Sequence, residues 1–249
     1  MATEIRGIIF DLGSTLIEYE SIPWDELGQL CLDAGYEYLK ESGCAVPDKN
    51  AFISEYVKIR DVYRKHAGET LEEWVITDAI RYLLQAFGLN GSRDLVDSFF
   101  AAYHVPLARQ VTMFPEAPTV IRDLKNNGYK IGLVSNTIFP EKMHIDELEK
   151  FGLFPMFDFT VFSSSFGKRK PHPDIYGHAV NLMGFLPEEL LFVGDRYIED
   201  YQGPIDFGMK AIIKFRRGRE YPEPMPDGVA VIGDLTELLA YPGLKIDDK

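Results

Sequence analysis

Five side chains scattered along this sequence could together carry out phosphoryl transfer: Asp11 in FDLGSTL, Ser135 in VSNT, Lys170 in RKPHPD, and Asp195 and Asp200 in GDRYIED. A carboxylate such as Asp11 can attack phosphorus to give an aspartyl-phosphate. Ser135 can donate a hydrogen bond to a phosphoryl oxygen, and Lys170 can neutralise its charge. Asp11, Asp195 and the nearby Asp200 offer the hard oxygens that suit Mg²⁺, which prefers a few carboxylates and substrate phosphate oxygens to a complete protein cage. The chain has a formal net charge of -13. Mg²⁺ and Lys170 would supply the local positive charge that an anionic substrate needs.

These residues stand where strands are predicted to end. Asp11 follows the apolar run IRGIIF (5–10), Ser135 closes YKIGLVSN, and Asp195 follows LLFVG (190–194). Lys170 precedes a predicted helix at 172–184. Further helices are predicted at 117–127, 141–151 and 198–207, with strands at 158–162, 209–215 and 229–232 and a short last helix. Strands separated by helices imply an α/β fold with a doubly wound parallel sheet, whose ligands bind beyond the carboxyl ends of the strands. That rule gathers Asp11, Ser135 and Asp195 in one crevice.

Between residues 22 and 106 helical periodicity replaces the strand-like runs. Phe52, Ile53, Tyr56 and Val57 share a face, as do Trp74, Ile76, Ala79, Ile80, Leu83 and Leu84. Breaks at VPDKN (46–50), AGET (67–70) and GLNGSRD (88–94) give about four helices, with Asp48, Thr70 and Ser92 as N-caps. The aromatic residues Trp24, Tyr36, Tyr38, Tyr56, Tyr63 and Trp74 read as core at this spacing. The domain reading is an α/β core of residues 1–16 and 108–249 with an inserted helical bundle at 17–107.

The acidic balance argues against a nucleic-acid partner or an anionic membrane surface. MATEIRGIIFDLG is too short an apolar stretch for a signal peptide, and the expected compartment is the cytoplasm. Cys31 and Cys44 form no CxxC pair and read as packing residues. The histidines at 66, 104, 144, 172 and 178 have no ligand spacing.

In their order and spacing these motifs resemble the haloacid dehalogenase-like hydrolases, a superfamily that includes many metal-dependent phosphatases. FDLGSTL is similar to its first motif (DxDGTL), VSNT to the second, the KP of RKPHPD to the third and GDRYIED to the fourth (GDxxxxD). The resemblance spans essentially the whole chain, and the helical insertion is similar to the family's cap. It implies a nucleophile at Asp11 and substrate binding by Ser135, Asn136 and Lys170. It also implies an Mg²⁺ site of Asp11, the backbone carbonyl of Gly13, Asp195 and Asp200. The substrate implied is a small phosphorylated metabolite.

One departure from the family pattern bears on mechanism. The family's phosphatases carry a second Asp two positions after the nucleophile, where it protonates the leaving oxygen and later activates water; here that position is Gly13, and Ser14 stands where Gly is usual. General acid–base help contributes about 10² to 10⁴ in rate. The compensations open to the chain are a leaving group that needs little protonation, a held water, or a carboxylate such as Glu18 or Glu20. Rival readings are a 2-haloacid dehalogenase, whose motif also lacks the second Asp, and a phosphonate hydrolase using a cap lysine (Lys40, Lys49 or Lys58). The rival from another class is a non-catalytic phosphate-binding or interaction module.

Overall fold

The first strand, β1 (Gly7–Phe10), is apolar on both faces, and every residue of it is buried. A strand buried on both sides belongs in the middle of a sheet covered by helices, and β1 lies there. In this computed structural model, which describes residues 3–19 and 22–246, β1 is flanked by β4 (Lys130–Ser135) and β6 (Leu190–Gly194), both parallel to it. Beyond β4 lies β5 (Phe159–Phe162); beyond β6 lie β7 (Lys210–Lys214) and the short β8 (Val231–Ile232). The six-stranded order β5-β4-β1-β6-β7-β8 is the doubly wound sheet expected from the sequence. The short strands β2 (Ile17–Glu18) and β3 (Thr112–Met113) form a separate ribbon.

Register explains how distant residues meet. Phe10 is level with Leu133 on β4 and with Val193 on β6. Asp11 N–H donates to Val193 O at 2.9 Å, so Asp11 stands at the strand mouths, one step from Ser135 and Asp195. Because the chain departs to opposite sides of β1 to form β4 and β6, this is the switch point where such sheets bind ligands. On one face Ile9, Val134, Val161 and Phe192 pack with Ile175, Tyr176, Ala179 and Met183 of α8 (Pro173–Met183). Fully burying each large apolar side chain contributes roughly 1.5–3 kcal/mol.

The chain divides into two compact units, one of residues 1–18, 113–137 and 141–249, the other of residues 19–112 and 138–140. The second is built of four helices: α1 (Trp24–Glu41), α2 (Lys49–Thr70), α3 (Ile76–Ala86) and α4 (Arg93–Gln110). Its core is aromatic: Phe52 meets Tyr36 edge-on at 5.3 Å and lies 6.2 Å from Phe99. Tyr36, Tyr56 and Trp74 are buried as expected, whereas Trp24 is 42% exposed.

Of the three predicted N-caps, Asp48 accepts hydrogen bonds from Asn50 N and Ala51 N. Ser92 occupies the cap position without a side-chain bond. Thr70 caps nothing. The helix continues through AGET because Ala67 is buried and the Thr70 hydroxyl donates to His66 O at 2.9 Å, and α2 ends only where Leu71 turns left-handed (φ 57°). The helix expected at 198–207 is a π-helical turn, Tyr197–Gln202, followed by the short α-helix Gly203–Asp206. Among the described residues no helix is long and apolar enough to cross a membrane.

Candidate active site

Asp11, Asp195 and Asp200 converge beyond the strand ends, each offering an oxygen within 4.8 Å of the others, and all three are buried. Asp195 is the first residue past β6. Asp200 is returned to it by the π-helical turn, a wide winding often found at functional sites. Arg196 N–H donates to Asp200 Oδ2 at 2.9 Å, and Tyr176 OH donates to Glu199 O at 2.6 Å, which fixes the turn against α8. Gly194 makes this approach possible, since a Cβ there would lie 2.4 Å from Asp200 Cγ.

Lys170 is buried among these acids. Its Nζ donates to Asp11 Oδ1 at 2.8 Å, Asp200 Oδ1 at 2.6 Å and Val134 O at 2.9 Å. Asn136 holds the lysine's backbone from both sides: Lys170 N–H donates to Asn136 Oδ1 at 2.7 Å, and Asn136 Nδ2 donates to Lys170 O at 2.9 Å. The Asn136 amide therefore serves to position Lys170, with one Nδ2 hydrogen left for another contact. Ser135 is buried at the end of β4, level with Phe162 of β5.

Burial, reinforced by the charges of Asp200 and Asp195 and opposed by Lys170, pushes the Asp11 carboxyl up to about 7. Burial and the charge of Asp200 raise Asp195, with Arg219 opposing. Burial pushes the Lys170 ammonium down, but its attraction and hydrogen bonds to Asp11 and Asp200 outweigh this and its net shift is upward.

The turn after the nucleophile is tightly held. Gly13 bridges to Ile17, Ser14 N–H donates to Ile17 O at 2.6 Å, and Ser14 is left-handed at φ 60°, a conformation costly for a residue with a Cβ. Ser14 Oγ accepts from Arg219 Nη2 at 2.8 Å and lies 3.5 Å from Glu18 Oε1. Glu18 is ion-paired with Arg216; Glu20, the other candidate carboxylate, lies outside the described residues.

Three residues not singled out from the sequence belong to this neighbourhood. Arg219 Nε donates to Asp195 Oδ2. Lys214, buried at the end of β7, donates to Ser14 O at 3.2 Å and Thr15 O at 3.0 Å, and burial pushes its ammonium down to about 8. His144 Nε2 lies 2.7 Å from Thr137 Oγ1 and its Nδ1 lies 3.0 Å from Glu147 Oε2, which braces the loop after Ser135. A signal for the first two was present: KFRRGR is a basic cluster at a strand end in an acidic chain.

The donor set fits a small divalent cation. Three carboxylates are gathered, Asp195 Oδ1 is buried with no hydrogen-bond partner among the described residues, and all the side-chain donors are hard oxygens.

The haloacid dehalogenase-like hydrolase model matches residues 5–208. Glyceraldehyde 3-phosphate phosphatase of Methanothermobacter thermautotrophicus is 31% identical over 243 residues, covering 94% of this chain and 98% of the relative. The protein of that name from Methanopyrus kandleri is 29% identical over 215 residues, covering 86% of this chain and 85% of the relative. The crystal structure of 2-haloacid dehalogenase from Pseudomonas syringae matches with a TM-score of 0.72 at 21% identity, over 95% of this chain and 97% of that one, which is a likeness of fold alone. With the match extending from β1 through the acidic cluster, the chain belongs to the haloacid dehalogenase-like hydrolases.

Proposed function

We propose that this protein is a Mg²⁺-dependent phosphatase that hydrolyses a small phosphorylated metabolite through an aspartyl-phosphate on Asp11. The observation that carries the reading is the buried cluster of Asp11, Asp195 and Asp200 around Lys170 at the mouths of β1, β4 and β6. Two relatives named as phosphatases over most of their length support it. A dehalogenase needs no metal, and the retained acids at 195 and 200 argue for the phosphatase.

Asp11 attacks phosphorus, the ester oxygen leaves, and water then hydrolyses the aspartyl-phosphate to release inorganic phosphate. Ser135 donates to a phosphoryl oxygen, while Lys170, whose three N–H groups are taken by Asp11, Asp200 and Val134 O, supplies positive charge beside the reacting group. Asp11, Asp195, Asp200 and the Gly13 carbonyl would hold Mg²⁺, which when bound supplies Lewis-acid charge to the phosphoryl group. It also favours the ionised form of Asp11, whose carboxyl otherwise sits near 7. The helical unit, inserted in the chain after the Asp11 strand, is the proposed cap that selects the leaving group.

Gly13 has no proton to give. Glu18 is held by its ion pair with Arg216 and is 3.5 Å from Ser14 Oγ, so its carboxylate is engaged within the turn after the nucleophile. The substrate expected is therefore one whose leaving group needs little protonation. The test is phosphate release from p-nitrophenyl phosphate and acetyl phosphate, with and without Mg²⁺, by wild type and Asp11→Asn. Turnover requiring both Mg²⁺ and Asp11 supports the phosphatase. Silence on both substrates from a folded protein that binds Mg²⁺ refutes it and favours the dehalogenase, the phosphonate hydrolase or the non-catalytic module.

A further inference from the structure

Each acid of the cluster already has an oxygen engaged. Lys170 takes Oδ1 of Asp11 and of Asp200, the Arg196 N–H takes Oδ2 of Asp200, and Arg219 Nε takes Oδ2 of Asp195. Arg219 stands outside all four motifs. Its guanidinium also reaches Ser14 Oγ at 2.8 Å, so one planar group ties the loop after β7 to the acid after β6 and to the turn after the nucleophile. A fork with fixed N–H directions can hold both partners at once, whereas an ammonium acts as a point charge. The oxygen it leaves on Asp195, Oδ1, is the buried one with no hydrogen-bond partner among the described residues.

We propose that Arg219 is a positioning residue that sets the choice of cation: by occupying Asp195 Oδ2 and bracing Ser14, it makes Asp195 a one-oxygen ligand, favouring Mg²⁺ over Ca²⁺. The inference rests on the metal-site reading above. Mg²⁺ takes roughly octahedral sites and uses single carboxylate oxygens, whereas Ca²⁺ takes about 6–8 oxygens and readily accepts both from one carboxylate. With Arg219 removed, Asp195 is free to turn and present both oxygens, a change that serves Ca²⁺ and loosens the geometry Mg²⁺ requires. Loss of a positive charge strengthens the binding of both divalent ions alike, so the ratio of their dissociation constants isolates the geometric effect.

The experiment titrates metal-free wild type, Arg219→Ala, Arg219→Lys and Arg217→Ala with Mg²⁺ alone and Ca²⁺ alone by calorimetry, with circular dichroism confirming that each protein is folded. Arg217 is the exposed neighbour and serves as control. The expected result is that the Ca²⁺-to-Mg²⁺ ratio of dissociation constants falls about tenfold or more in both Arg219 variants, in the range seen when groups orienting metal ligands are removed. In Arg217→Ala the ratio stays at the wild-type value. A ratio unchanged within about twofold in the folded Arg219 variants overturns the proposal while leaving the metal site intact. Wild type that binds neither ion overturns the metal-site reading, and this inference with it.

Discussion

Replacing Lys170 with Met keeps the length of a side chain that is 1% exposed and removes the ammonium at the centre of the cluster. Three hydrogen bonds go with it, to Asp11, Asp200 and Val134 O. Removing one partner of a buried ion pair costs roughly 3–5 kcal/mol, because the other charge stays buried. The variant has one escape, the uptake of a further proton. For a carboxyl that titrates near 3.9 when unfolded, this costs about 4 kcal/mol at pH 7 and about 1.5 kcal/mol at pH 5. The expected destabilisation in metal-free buffer is therefore about 3–4 kcal/mol at pH 7, falling to about 1–2 kcal/mol at pH 5. The sign follows from linkage: the folded variant binds more protons than its unfolded chain, so its stability rises as pH falls. The raised Lys170 of the wild type contributes its stability in full at both pH values and loses it only in strong alkali, so it adds no slope there. Urea unfolding of both proteins at the two pH values, followed by circular dichroism in chelator, measures the difference. A loss below about 1 kcal/mol at pH 7, or equal losses at both pH values, would refute the reasoning.

Two further outcomes follow from the same geometry. The Asp11 carboxyl, raised by burial and its acidic neighbours to about 7, favours the folded state at low pH and loses that contribution between about pH 4 and 7. Metal-free Asp11→Asn is therefore expected to match wild type near pH 4 and to exceed it by up to about 4 kcal/mol above pH 7; equal stabilities throughout would show that the carboxylate is not strained by its surroundings. Gly194→Ala pushes a methyl to within 2.4 Å of Asp200 Cγ, so a loss of about 1–3 kcal/mol is expected together with weaker Mg²⁺ binding. Unfolding and calorimetry that both return wild-type values would mean that Asp200 has room to move.

What could be read from the chain was what depends on neighbours in sequence. Strand–helix alternation implied the parallel sheet, and the sheet rule placed Asp11, Ser135 and Asp195 at adjacent strand mouths. The Asp48 cap was legible because its partners, Asn50 and Ala51, follow directly. AGET misled because a local break signal lost to burial of Ala67. The π-helical turn escaped because its winding is set by Asp200 closing on Arg196 N and by Tyr176, on α8, holding Glu199 O.

By itself the sequence determined the fold class, through its periodicity, and, through its resemblance to the family motifs, pointed to the acids and the lysine that meet beyond the strand ends. Only the tertiary structure decided how their oxygens are shared out. Arg219 reaches Asp195 across 24 positions and Ser14 across 205, while Lys214 reaches Thr15 across 199. No local pattern records such pairings, because they form only when separate strand ends are brought side by side.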